Sequence, residues 1–424
     1  NHHGLEARAT SCRRVAEPVA WRFFPCRRRE PTILLVTGNV EHNGRQVEHA
    51  EGATEVLPEP PRPVRVGWVA SETTFDRFGR TVQPLAVGML DEFVALAAIC
   101  PRGTEADPFP SPPVSVVSYE QGKWWQVWSR AEETLSGKVR GEKLQLLHAL
   151  DADAARLTTR LARTLGIRYV LSCYSLSDAR RLGPLDDRAA AVLPASTPIG
   201  KELRRHRVVP PDRIVLLRPG VHRVRHANCF KDPQHSISIV TCGPLDDLRA
   251  YAAVLRSFAE LASRNYDCAF FVIGGGPAEK QLRALSEKLA TRHEVTFAED
   301  LPARQLPGIF KAADIYVSPT SRPELDVRSL LAMAAGVPVL AAAGGSSDFL
   351  KDKETALLFR RGDASELITK LLSLLEDRAS ARDLAENALR YLRENHSPSA
   401  MVASLAAVYR QATAPAEKSP TDRE

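Results

Sequence analysis

No apolar run in this chain approaches the roughly 20 residues that a membrane-crossing helix needs, so its 424 residues offer no candidate span. Cysteine is sparse and poorly placed for a disulfide framework or a metal site. Its seven copies, Cys12, Cys26, Cys100, Cys173, Cys229, Cys242 and Cys268, are odd in number and scattered, without ligand-like spacing. Cys100, Cys173, Cys242 and Cys268 lie in or beside apolar strand-like runs, where cysteine acts as a small buried hydrophobe. A reducing cytoplasm fits this usage, and neither a metal nor another cofactor is expected. Aromatic residues make up only 6% and do not interleave with the basic groupings at Arg27–Arg29, Arg204–Arg207 and Arg360–Arg361. That argues against nucleic acid as a partner. The first residues show no clean signal-peptide pattern, because arginines interrupt them and no long apolar segment follows.

What is present is an ordinary soluble composition, 44% hydrophobic and 25% charged, with a net charge of +6. The basic groupings read as solvated faces, or as attraction for nucleotide phosphates or an anionic membrane surface. A peripheral contact at the inner face of a membrane stays open. The length suits two domains, each with its own core.

Residues 1–62 carry little periodic patterning and end in a Pro-rich stretch, so they read as a disordered extension or as upstream sequence from a misplaced start. An N-terminal domain is expected over 63–222, opening on the strand VRVGWVAS at 64–71. Residues 223–235 are polar and irregular, as in a linker. A second domain follows over 236–398, and 399–424 reads as a helix packing back on the first domain, then a frayed tail. From Ser236 onward, short Val-, Ile- and Phe-rich runs alternate with amphipathic segments. That rhythm predicts an α/β fold, two Rossmann-like domains with parallel sheets covered by helices on both faces. Ligands of such sheets bind where loops leave the carboxyl ends of the strands.

Four motifs occur in order in the second half: VIGGGPAEKQL (272–282), VTFAEDLPARQLPGIFKAADIYVSPTS (295–321), LLAMAAGVPVLAAAGG (330–345) and ETALLFRRGD (354–363). Together they resemble the C-terminal domain of family-4 glycosyltransferases of GT-B architecture, and the likeness extends at lower strength through RIVLLRPGV (213–221) to about Val64. The resemblance implies a retaining, metal-independent transfer of sugar from a nucleotide-sugar donor, a UDP- or GDP-sugar, to a glycan, lipid or small-molecule acceptor. The departing diphosphate must be neutralised by cations and by backbone N–H groups at a helix N-terminus.

The resemblance also shows where this chain departs. The family's phosphate-binding Arg and Lys fall on Pro244 and Arg249, so Arg249 is either the phosphate cation, with Gly243 and Gly274, Gly275 and Gly276 beside it, or a surface helix residue. The family's two glutamates fall on Pro323 and Leu331. Glu324, one residue along, is the candidate carboxylate near the donor sugar, with Asp326 as a second; either could instead cap the following helix. Arg328 and Ser329 at the helix start, and Gly344 and Gly345, complete the expected donor side. Gly79, the only glycine in the loop after the first strand, and Tyr174, where the family often has a histidine, are expected on the acceptor side. His148 in LLHALD ends a strand and is a candidate for catalysis or for structure. An alternative is a relative that kept the fold and lost catalysis, acting as a binding or scaffolding protein.

Overall fold

The computed structural model describes residues 63–72, 74, 85–103, 114–120, 128–207, 209–231, 236–289, 291, 295–301 and 305–414, with side chains from 133 onward in the helix that opens at Trp128. The extension expected over 1–62 and the candidate Gly79 lie outside them. None of the described helices is long and apolar enough to cross a membrane.

Two six-stranded sheets dominate. The first comprises β1 (Val64–Val69), β2 (Val94–Pro101), β3 (Ser115–Tyr119), β4 (Leu146–Ala149), β5 (Arg168–Cys173) and β6 (Ala189–Pro194). The second comprises β7 (Ile237–Cys242), β8 (Cys268–Ile273), β9 (Val295–Ala298), β10 (Ile315–Ser318), β11 (Val339–Ala342) and β12 (Leu357–Phe359). Their orders are β3-β2-β1-β4-β5-β6 and β12-β11-β10-β7-β8-β9, and every ladder is parallel. Each is a doubly wound sheet whose direction of winding reverses once, between β1 and β4 in the first and between β7 and β10 in the second. Central strands such as β4 and β11 are buried at every position, because helices cover both faces.

Local chemistry sets the helix ends that matter for the crevice. Asp247 accepts the Ala250 N–H at 3.1 Å and caps the helix Leu248–Ser263. Asp326 does the same for Val327–Ala334 through the Ser329 N–H at 3.0 Å. After β6, the segment at 214–217 runs alongside it without forming a strand, giving the Val215 and Leu217 N–H groups to the Val192 and Pro194 carbonyls.

Both sheets belong to one compact unit from Pro60 to Glu424. One apolar cluster runs through both, joining Val66, Leu147 and Val170 to Phe310, Leu330 and Val339. The helix Pro398–Thr413 returns to the first sheet, where Tyr409 is fully buried. Its hydroxyl accepts from Trp68 Nε1 at 2.8 Å and meets His148 Nδ1 at 2.5 Å, while His148 Nε2 meets Ser172 Oγ at 2.9 Å. A neutral imidazole accepting from Tyr409 and donating to Ser172 satisfies all four groups.

Candidate functional site

The crevice lies at the carboxyl ends of β10 and β11 in the second sheet, one strand from its reversal point. It is a shallow groove lined by the loop after β10 (Ser318, Thr320, Ser321, Arg322, Glu324, Asp326) and the loop after β11 (Gly344, Gly345, Ser346). Two glycines show how tightly these loops approach. A Cβ at Gly345, whose φ is 82°, would stand 2.8 Å from the Arg322 carbonyl oxygen. At Gly274, φ 140°, it would stand 2.0 Å from the carbonyl oxygen of Gly243. Only glycine fits either place.

Glu324 occupies the edge of this crevice that faces the first domain. The Leu176 N–H donates to the Pro323 carbonyl and the Leu325 N–H to the Tyr174 carbonyl, each at 2.9 Å. A short antiparallel bridge thereby pairs Glu324 with Ser175. Tyr174, expected on the acceptor side, and Glu324, expected near the donor, are therefore neighbours across the domain boundary. Leu331, at the other glutamate position, is buried at 9% exposure.

Two arginines stand close in sequence to Glu324, and Arg322 lies within its electrostatic reach. Arg328, in the first turn of Val327–Ala334, lies within electrostatic reach of Cys242, Tyr316, Asp326 and Asp300, so it stands over the reversal point. Burial pushes the Cys242 thiol up to about 12, so it supplies no counter-charge. Among the described residues Arg328 makes no hydrogen bond or ion pair, despite being half-buried. Arg322 reaches the loop after β7, where it grips Asp246 at 2.5 and 3.1 Å and approaches the Pro244 carbonyl at 3.4 Å. That contact holds the Asp246 carboxyl below its usual range. Arg322 and Asp246 were not among the expected site residues. The one sequence signal was a cation beside Pro323, and it gives no hint of the partner loop.

Several expectations need correcting. His148 does not face the crevice: it is 1% exposed inside the first domain, and burial lowers its pKa to about 3. Asp326 borders the crevice, but its carboxylate takes Ser318 Oγ at 2.7 Å, Ser329 Oγ at 2.5 Å and the Ser329 N–H. It is the helix cap, with three of its four or so acceptor sites taken. Ser329 is fully buried and its hydroxyl is spent on that cap, so it makes no donor contact. Gly274 and Gly276 pack against the backbone at 243–245, where the Gly275 carbonyl accepts the Leu245 N–H, so their first role is to seat one loop on the other. Arg249 stands exposed beside the crevice rather than in its lining, its stem passing over Gly362.

The first sheet has its own reversal point, with Asp151 at its mouth. That carboxylate accepts from Ser71 Oγ at 2.6 Å, from the Ala154 N–H at 2.8 Å, and from Thr74 Oγ1. Its position after β4 was visible in LLHALDAD, but its donors come from a distant loop and were not.

Comparison with known proteins agrees with this geometry. Residues 232–391 match the family model described as glycosyl transferases group 1. A 2-deoxystreptamine glucosyltransferase of Streptomyces kanamyceticus is 28% identical over 212 residues, 49% of this chain and 54% of that protein. A D-inositol 3-phosphate glycosyltransferase of Nocardia farcinica is 30% identical over 201 residues, 45% of this chain and 44% of that protein. The chain thus spans about half the length of the curated relatives it matches. Among solved structures, Anabaena HepE in complex with UDP and glucose superposes with a TM-score of 0.66 at 14% identity, covering 81% of this chain and 98% of that one. A glycosyltransferase from Rickettsia africae gives 0.67 at 14% identity, covering 82% and 98%. With two parallel six-stranded sheets of the same winding, the chain has the GT-B fold, and its second domain carries the glycosyl transferases group 1 pattern.

Proposed function

We propose that this protein transfers a glycosyl unit from a nucleotide sugar to an acceptor hydroxyl, with retention of anomeric configuration. One observation carries the reading: Arg322 and Glu324 line the groove at the ends of β10 and β11, and the helix start at Val327, with Arg328 over the reversal point, lies beside it. Guanidinium groups bind phosphate oxygens in a bidentate way, and a helix N-terminus favours an anion. In the reaction the bond from the anomeric carbon to the diphosphate oxygen breaks and that carbon takes the acceptor oxygen. The acceptor proton passes to the departing diphosphate. Arg322 and Arg328 stabilise the charge that develops on the leaving group, and Glu324 stabilises the positive charge on the sugar ring.

The superposed HepE binds UDP and glucose, which supports a UDP-sugar, while a matched mannosyltransferase of Mycolicibacterium smegmatis is named for GDP-mannose. Incubating the protein with UDP-, GDP- and ADP-sugars should raise its melting temperature with one base class and release the matching nucleoside diphosphate in the presence of acceptor. No shift with any of them would remove the enzymatic reading. A second reading, a binding protein on the same fold, is favoured by Pro323 and buried Leu331 standing where two glutamates are expected. It predicts nucleotide binding without release of diphosphate.

A further inference from the structure

We propose that Asp246 is a built-in competitor for the donor: it occupies Arg322 until a diphosphate takes its place. The inference rests on the donor-site reading above and adds to it how the site is held when empty. Arg322 differs from Arg328 in one respect. Arg328 makes no ion pair among the described residues, whereas Arg322 gives both terminal nitrogens to one carboxylate, at 2.5 and 3.1 Å. A carboxylate gripped through two nitrogens presents to a guanidinium much the same pair of oxygens that a phosphate does.

The pair also has the mobility such an exchange needs at the side chains and the rigidity it needs at the backbone. Both side chains remain reachable by solvent, Arg322 at 33% and Asp246 at 42% of full exposure. The Arg322 backbone is fixed by Gly345, which leaves no room even for a Cβ against its carbonyl, and by the neighbouring bridge from Pro323 to Leu176. Rotation about the Arg322 side chain is then enough to move its charge from the loop after β7 into the crevice. Asp246 stays behind as a negative charge at the mouth, opposing an anion that enters without displacing the arginine. The pair thus acts as an electrostatic latch. Its sign selects for a ligand with more than one phosphate, because a single weak anion does not outcompete a bidentate carboxylate.

The partners of an ordinary structural ion pair weaken the protein together when either is removed. The partners of a latch change ligand affinity in opposite directions. The test is calorimetric titration of the full chain with UDP, GDP, ADP and inorganic pyrophosphate, for wild type, Arg322→Gln, Asp246→Asn, Asp246→Ser and the double variant Arg322→Gln/Asp246→Asn. Arg322→Gln should weaken the best-binding diphosphate by about tenfold or more, the worth of a charge-assisted bond. Both Asp246 variants should tighten it by about three- to tenfold. The double variant should stay weaker than wild type and recover only part of what Arg322→Gln loses, because without the arginine Asp246 acts on the anion through repulsion alone. Unchanged or weaker binding in both Asp246 variants, with diphosphate still bound by wild type, overturns the latch and leaves the donor reading standing. Absence of any diphosphate binding in wild type and in the Asp246 variants overturns both.

Discussion

The two sheets share a winding order, yet their reversal points are furnished with opposite chemistry. In the first, Asp151 lies 4% exposed, its oxygens taken by Ser71, Thr74 and the Ala154 N–H. The second has Arg328 and Arg322 nearby, one unpaired among the described residues and the other held by a solvent-reachable carboxylate. Topology therefore offers two crevices, and charge decides between them. A satisfied acid has little to offer a diphosphate, whereas an unpaired guanidinium pays much of its desolvation cost before the ligand arrives and gains most from it.

The interiors differ as well, and the largest predicted effect tests that. Beneath the first sheet's reversal point, His148 is buried with Trp68, Tyr409 and Ser172, and its pKa falls to about 3. An unfolded histidine titrates near 6.5. Between those values the unfolded chain binds the extra proton, so stability is fully present above about pH 6.5 and is lost as pH falls toward 3. The loss should reach several kcal/mol from this group at the acid end, from the linkage of about 1.4 kcal/mol for each unit of displacement. His148→Asn should lower the melting temperature at pH 7 but flatten its decline between pH 6.5 and 4 relative to wild type. Parallel curves for the two proteins would show that His148 is not held neutral.

Next in size is the carboxylate on the other side of the comparison. Glu324→Gln should cut turnover about a hundredfold, as loss of a charged transition-state contact does. Its melting temperature should change little, since the cap at this helix belongs to Asp326. Activity within a factor of three of wild type would take Glu324 out of the reaction.

Sharper still is a paired measurement at the two reversal points. Arg328→Gln should weaken nucleoside diphosphate binding by about 1.5–3 kcal/mol. Asp151→Asn should leave that affinity within about 0.3 kcal/mol while costing about 1–3 kcal/mol of stability, because a donor bonded to the lost oxygen is left buried without a partner. If Asp151→Asn weakened nucleotide binding as much as Arg328→Gln, the division of labour between the sheets would fail.

Much of the fold was legible because it rests on local signals. Alternating apolar runs and amphipathic helices give parallel sheets whatever the loops do, and the four ordered motifs fall within the residues that match the family model. Glu324 was singled out as the carboxylate nearest the expected position, and the structure sets it in the lining of the second sheet's groove. Pairings across long separations were not. Arg322 and Asp246 are 76 residues apart, and neither sequence neighbourhood hints at the other. His148 was left between catalysis and structure because a strand's alternation gives two faces without saying what covers each; its cover, Tyr409, lies 261 residues away. Which of Glu324 and Asp326 caps the helix depended on where the turn begins, a shift of two residues that propensities do not resolve.

The smallest expected effect concerns the residue that the sequence placed at the phosphates. Arg249 is in register with the family's lysine and, on that basis alone, its loss should cost as much as that of Arg328. The structure instead leaves it exposed in the first turn of Leu248–Ser263, its stem against Gly362, while the neighbouring Arg361 pairs with Asp247 at 2.5 Å. An exposed cation at the flank acts on a diphosphate through water, where attraction is screened within about 8–10 Å at ordinary salt. Arg249→Ala should therefore weaken diphosphate binding by no more than about 0.5 kcal/mol at 150 mM salt, the scale of an exposed ion pair. The difference should grow at 10 mM salt, where screening relaxes. A loss of more than about 1.5 kcal/mol that persists at high salt would mean that Arg249 touches the phosphates directly. The register would then have been the better guide, and the second crevice would hold three cations rather than two.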